Sequence, residues 1–297
     1  MRIASVPALV AAALFCTLAP PAAWAKPVGE YELPAATAGD PAAKAALKGE
    51  AEALWAERGD PEKLKASLAK YEALYAMDPM DRDVAMHLVR GWYFLGDGHL
   101  TDKDAKIEAW DKAIGWGKKC LAINADFRAL LQKGDEDEAS ASRTLKQEDV
   151  PCVYWTSSAL GKWAKASGIG PTLRHLPTVK AYMTKVGELE PSFYYAGPDR
   201  YWGAYYSAIP SFAGQDLGQS RKYFDKALGA YPSFLGTHVL LAAEWAVKSQ
   251  DKATFRKELE WVVAQDPNAI PEVRPEAEAE QRKAKALLAQ EAEFFAE

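Results

Sequence analysis

The sequence predicts an all-α fold, a right-handed stack of helix hairpins, and three observations carry the prediction. Apolar residues recur at helical spacing through most of the chain beyond residue 40, and no stretch shows the strict alternation of a half-buried strand. Dipeptides that start or stop helices punctuate this pattern: Asp40-Pro41, Asp60-Pro61, Asp78-Pro79, Glu190-Pro191 and Asp266-Pro267. Each offers a capping carboxylate with a first-turn proline, or a proline that cannot continue a helix. The segments between these marks pair into hairpins of about 40 residues, each able to bury its apolar face only against its neighbours.

The chain has 297 residues, 49% of them hydrophobic, and a formal net charge of -5. That is enough apolar surface for a core, and the acidic balance supplies no basic field for nucleic acid. Residues 1–25 read as a secretory signal peptide: Arg2, an apolar run from Val6 to Ala19, then Ala23-Trp24-Ala25. The run is too short for a membrane anchor, so cleavage after Ala25 is expected to release a soluble periplasmic protein beginning at Lys26. Attachment as a lipoprotein through Cys16 is the alternative, disfavoured because Phe15 stands where a lipobox prefers a small residue. No later apolar stretch is long enough to make the chain itself a permease.

Residues 26–39, rich in Pro, Ala and Gly, read as a flexible leader before a helical domain over 40–297. In the first pair, a helix runs from Asp40 to about Arg58, and its partner from Asp60 carries Leu64, Leu68, Tyr71, Leu74 and Tyr75 on one face. The second pair starts near Asp81, with Val84, Leu88, Trp92 and Leu95 as its stripe, and should break at Gly96-Asp97-Gly98. Thr101 and Asp104 are expected to cap its second helix, which ends near Ile123. A short helical piece near 127–132 leads into residues 133–148, whose acidic run and serines predict an exposed loop rather than a calcium site. Pro151 opens a third pair; Gly168 to Pro171 makes its turn, and Pro177 predicts a kink or a late start in its second helix. The fifth pair carries Val239, Leu240, Ala243, Trp245 and Val247, then a helix capped by Asp251. The last helix, 275–295, is dominated by Ala, Glu, Lys and Gln, the composition of a terminal cap.

The fourth pair, Gly197 to Pro232, is the most informative. Ser220, Phe224, Ala227 and Pro232 have the spacing of the second helix of a tetratricopeptide repeat, with Asp216 as its cap. The hairpins exceed the roughly 34 residues of that repeat, so the units are degenerate tetratricopeptide-like ones forming an α-solenoid whose concave surface is the default binding site.

Cys120 and Cys152 are a disulfide candidate in an oxidising compartment, a bond that would contribute roughly 3 to 4 kcal/mol by closing its loop. Two buried, unlinked thiols are the other reading. No GxSxG, HExxH, phosphate-binding glycine loop or CxxC occurs, and His87, His99, His175 and His238 are isolated. The chain is therefore expected to be no enzyme and to need no metal or cofactor.

Aromatic residues exceed what one core face requires. Tyr201 and Tyr205 form one stripe of the fourth unit, and Trp202 and Tyr206 an adjoining one. Together with Tyr194 or Tyr195 and Trp155, one stripe could line a cleft; burial of both between hairpins is the alternative. Arg200 lies near a helix N-terminus, where the dipole disfavours a cation. Either a carboxylate of Asp199, Glu188 or Glu190 offsets it, or the carboxylate of a bound organic acid does.

From about Trp92 to Val263 the chain resembles the T-component family of TRAP transporters, the tripartite ATP-independent periplasmic uptake systems. Arg90-Gly91, the long helix ending at Leu121, Tyr154-Trp155, and Gly197, Pro198, Arg200, Gly203, Tyr206, Pro210, Gly214, Asp216 and Phe224 carry the resemblance. It implies a periplasmic helper that associates with the substrate-binding P subunit, as a homo-oligomer enclosing a passage for a small organic solute. The ligand-binding candidates are Arg200, Trp155, Tyr195, Tyr201, Trp202, Tyr205 and Tyr206. A general envelope scaffold, binding proteins or peptides on its concave face, is the alternative function.

Overall fold

The computed structural model describes residues 31–37, 39–134 and 136–295. The expected signal peptide, Cys16 and the first part of the leader lie outside the described residues. Among those described, the chain is all-α, with no strand.

Two helices, α1 (Pro41–Ala56) and α2 (Pro61–Met77), form the first hairpin, and Asp40 and Asp60 cap them as their Asp-Pro pairs predict. The five apolar residues expected on the inner face of α2 are all buried. The part of the leader that is described is tied to the domain: Thr37 N–H donates to Ala76 O at 2.8 Å, and buried Tyr31 meets Phe127 edge-on. The second hairpin joins α3 (Arg82–Phe94) to α4 (Lys103–Ala122). Gly96-Asp97-Gly98 does not break α3 outright. Residues Leu95–His99 continue it as a wider π-helical turn, in which Gly96 packs against the Trp110 ring. The cap of α4 is Asp102, accepting from Ala105 N at 2.9 Å, in place of the expected Thr101.

Next come α5 (Ala125–Lys133) and α6 (Glu138–Ala141). The segment read as an exposed loop is partly structured: Ala141, Ser142 and Leu145 are buried, and just past its end the buried Asp149 accepts from the Asn124 amide at 2.6 Å. A residue-by-residue polarity reading misses this, because Asp149 accepts from Asn124 and Lys146 N–H and forms an ion pair with Arg82, and Asn124 and Arg82 are distant in sequence.

The third hairpin is α7 (Val150–Ser167) and α8 (Ile169–Leu189). Here α8 starts immediately after Gly168 and keeps Pro177 inside it, so the late start does not occur. Cys120 of α4 and Cys152 of α7 form a disulfide that joins the second and third hairpins. The fourth hairpin pairs α9 (Phe193–Ala208) with α10 (Leu217–Ala230), whose Ser220, Phe224 and Ala227 are buried. The fifth runs from α11 (Leu235–Leu240) through a second π-helical turn (Leu241–Ala246) and α12 (Val247–Ser249) to α13 (Lys252–Ala264). Two helices close the chain, α14 (Arg274–Ala289) and α15 (Glu291–Phe294).

Consecutive hairpins are neighbours, through α2 with α3, α4 with α7, α8 with α9, and α9 with the second π turn. Two apolar cores result. One gathers side chains from Tyr31 to Val186 together with Ala279 of α14, and the other lies among α11, the second π turn, α13, α14 and Phe295. The terminal helix expected over 275–295 ends at Ala289, with α15 as a separate short helix, and α14 does more than cover an end: it packs on α11 and α13 and also reaches back to the first π turn.

Candidate functional site

A cavity of about 1000 Å³ opens between the two cores, bounded by both π turns and by residues of α7, α9, α11 and α14. This is the size of a small-molecule site. Its walls are largely apolar and aromatic, yet seven cationic side chains and five carboxylates also line it. The chain carries a net charge of -5, so the balance of these lining charges is opposite in sign to that of the chain as a whole.

The charges form ordered pairs. Lys162 and Lys165, nearly one turn apart on α7, meet one carboxylate from each π turn: Asp97 at 2.8 Å and Glu244 at 2.6 Å. Asp97 also takes Lys283 of α14 at 2.6 Å. Burial pushes the Asp97 carboxyl upward, but Lys162 and Lys283 outweigh it and hold the group far below the usual carboxylate range. Burial works against the Lys162 ammonium as well, and Asp97 overcomes this to push it up to about 12.

Glu276 of α14 lies between Arg58 and Arg90, at 2.8 Å from each. Burial favours its protonated form; Arg90 and Arg58 reverse that and lower its pKa. The Arg90 guanidinium also sits over the rings of Trp55, Trp155 and Tyr194, between 5.2 and 5.4 Å from their centres. An ionic seam thus ties the last helix to the first two hairpins around the cavity.

Arg200 lies within α9, four residues past a non-helical kink at residues 194–196, and is 5% exposed. None of the three expected carboxylates is its partner: Asp199 pairs with Lys226, Glu188 with Lys185, and Glu190 accepts from Gln147. Instead, Arg200 donates to Tyr195 O at 2.9 Å, Tyr194 O at 3.1 Å and the Tyr154 hydroxyl at 2.9 Å. Its guanidinium lies 4.4 Å from the centre of the Phe234 ring.

Those two carbonyls belong to an uncommon backbone. Tyr194, Tyr195 and Ala196 have φ of 46°, 58° and 55°, a left-handed turn built from three residues other than glycine. Each such residue costs roughly 1–2 kcal/mol, so the surroundings must hold the turn in place. Arg200 grips its carbonyls, and Gly197 lets the chain pass under Tyr154, where a β-carbon would come within 2.5 Å of that ring. Gly203 does the same for α10: a β-carbon there would meet the Phe224 ring at 2.8 Å. The glycines of the Gly197 to Gly203 segment are therefore explained by close packing.

The cavity brings together Arg200, Trp155, Tyr194, Tyr201 and Tyr205 among the residues singled out from the sequence. Trp202 and Tyr206 turn away and pack near Tyr223 of α10. Tyr195 stacks on Phe234 at 4.8 Å, and its hydroxyl donates to Glu272 at 2.6 Å. Sequence reasoning missed Arg90 as a cavity residue, and with it Asp97, Lys162, Glu276 and Lys283. A cation next to Val89 on the mostly apolar face of α3 was the available sign for Arg90; the others look like ordinary surface charges.

No group of three or more His, Cys, Asp or Glu able to hold a metal occurs among the described residues, and none of the described helices is long and apolar enough to cross a membrane. The fold and the cavity define a helical protein with a ligand-sized, charge-seamed chamber. The sequence profile described as TRAP transporter T-component matches residues 61–295, and the chain belongs to that family. No curated protein matches it.

Proposed function

We propose that the chain is a periplasmic accessory protein of a TRAP-type uptake system, which docks on the substrate-binding P subunit and holds the solute in its cavity. The match of the T-component profile over residues 61–295 carries this reading. The cavity supports the solute-holding part, because its volume and its largely apolar walls are those of a small-molecule site, and its charged side chains can orient a ligand.

In this account residues 1–25 are removed on export, and residues 40–297 act as one domain. Its hairpins form a right-handed stack of degenerate tetratricopeptide-like units, several copies of which associate. Binding and transfer are the whole activity, with no catalytic step and no cofactor. The test is co-elution of the purified chain with the P subunit of the same transporter in size-exclusion chromatography. A shared peak that disperses when the P subunit is omitted is expected. Separate elution at micromolar concentrations of both proteins would contradict the accessory role and favour a general scaffold.

A further inference from the structure

Arg200 differs from the other cations of the cavity wall that carry the seam. Arg90, Lys162, Lys165 and Lys283 each have a carboxylate partner, whereas among the described residues Arg200 has none. Its donors are spent on neutral oxygens, and two of these are carbonyls of a left-handed turn that L-residues enter only under constraint. A guanidinium forms shorter and stronger bonds with an anionic oxygen than with a neutral carbonyl. An acid group reaching Arg200 would therefore compete well for its donors. Two further buried donors of the lining, Arg90 Nε and Trp110 Nε1, have no hydrogen-bond partner among the described residues. The remaining wall, with Tyr205, Phe234, Val239, Leu240 and Leu287, suits an apolar body.

We propose that the cavity takes an amphipathic anion, and that its acid head displaces the Tyr194 and Tyr195 carbonyls from Arg200, so that loading relaxes the left-handed turn. The proposal rests on the cavity being the solute site. Its consequence is a route from occupancy to the outside. The turn carries Tyr195, which is bonded to exposed Glu272 just before α14, while the Glu272 carbonyl accepts from Arg58 at 2.6 Å. Relaxing the turn loosens this surface link, which a partner protein can read.

The test uses the full mature chain and three probes with the same tail: dodecanoate, dodecanol and dodecyltrimethylammonium, each below its micelle concentration. Titration calorimetry gives their affinities, and hydrogen exchange reports on amides 194–196, 272–274 and 276. Dodecanoate is expected to bind about tenfold or more tightly than dodecanol, with the ammonium weakest. Dodecanoate alone should speed exchange in both segments. Arg200→Gln should bring dodecanoate down to the affinity of dodecanol and leave dodecanol unchanged. The wild-type series decides the matter even where that variant fails to fold. Equal affinity of the three heads overturns the proposal and leaves the cavity as an apolar solute site. Selective binding with unchanged exchange overturns the switch. Absence of binding by every probe overturns the cavity reading itself, independently of co-elution with the P subunit.

Discussion

Glu276 is the side chain on which the ionic seam turns, since it satisfies two guanidinium groups from different hairpins at once. Its folded-state pKa is lowered, so its contribution is present above the unfolded value of about 4.3 and is lost as pH falls through the folded one. Glu276→Gln should cost about 3–5 kcal/mol at pH 7, because it leaves two cations poorly compensated in a buried site. It should also flatten the acid side of the stability profile. Urea unfolding of both proteins at pH 7 and pH 4 checks this; equal stability at pH 7 would mean that the two arginines find other partners. Arg200 was legible as an anomaly, a cation at a helix start, but its real partners were not. Nothing in the string Tyr194-Tyr195-Ala196 announces three left-handed residues, because the conformation is imposed by Arg200, Tyr154 and Phe234 around it.

At the scale of the element, helix starts were readable because an aspartate before a helix satisfies the free N–H groups of its first turn wherever it occurs. Asp40, Asp60, Asp81, Asp216 and Asp251 all do so. The two π turns were not readable. Gly96 and Gly98 look like a stop, yet packing against Trp110 and Phe94 keeps the chain helical and widens it there. Those turns place Asp97 and Glu244 opposite Lys162 and Lys165, so the sequence hid the elements that shape the cavity. The link between the second and third hairpins yields a prediction at this scale. Replacing Cys120 and Cys152 by serine should cost roughly 3–4 kcal/mol, the loop-closure value for a separation of 32 residues. Denaturant unfolding of the double variant measures it, and a loss well below about 1 kcal/mol would show that α4 and α7 are held by packing alone.

For the whole molecule, the succession of hairpins followed from local pattern and the closure around the cavity did not. The last helix has the composition of a solvated cap, and only the folded chain brings its Glu276 and Lys283 to Arg58 and Asp97, about 200 residues earlier in sequence. Long-range pairing of this kind leaves no periodic trace. The resulting chamber, apolar in its walls and cationic in balance, is the centre of the account. Its most direct test is a crystal structure of the chain with a dodecanoate brominated at its far end, located by anomalous scattering. The account predicts bromine inside the cavity, the carboxylate on Arg200 and the 194–196 turn shifted out of its left-handed conformation. Bromine bound only on the outer surface, or an acid head seated away from Arg200 with the turn unchanged, would contradict it.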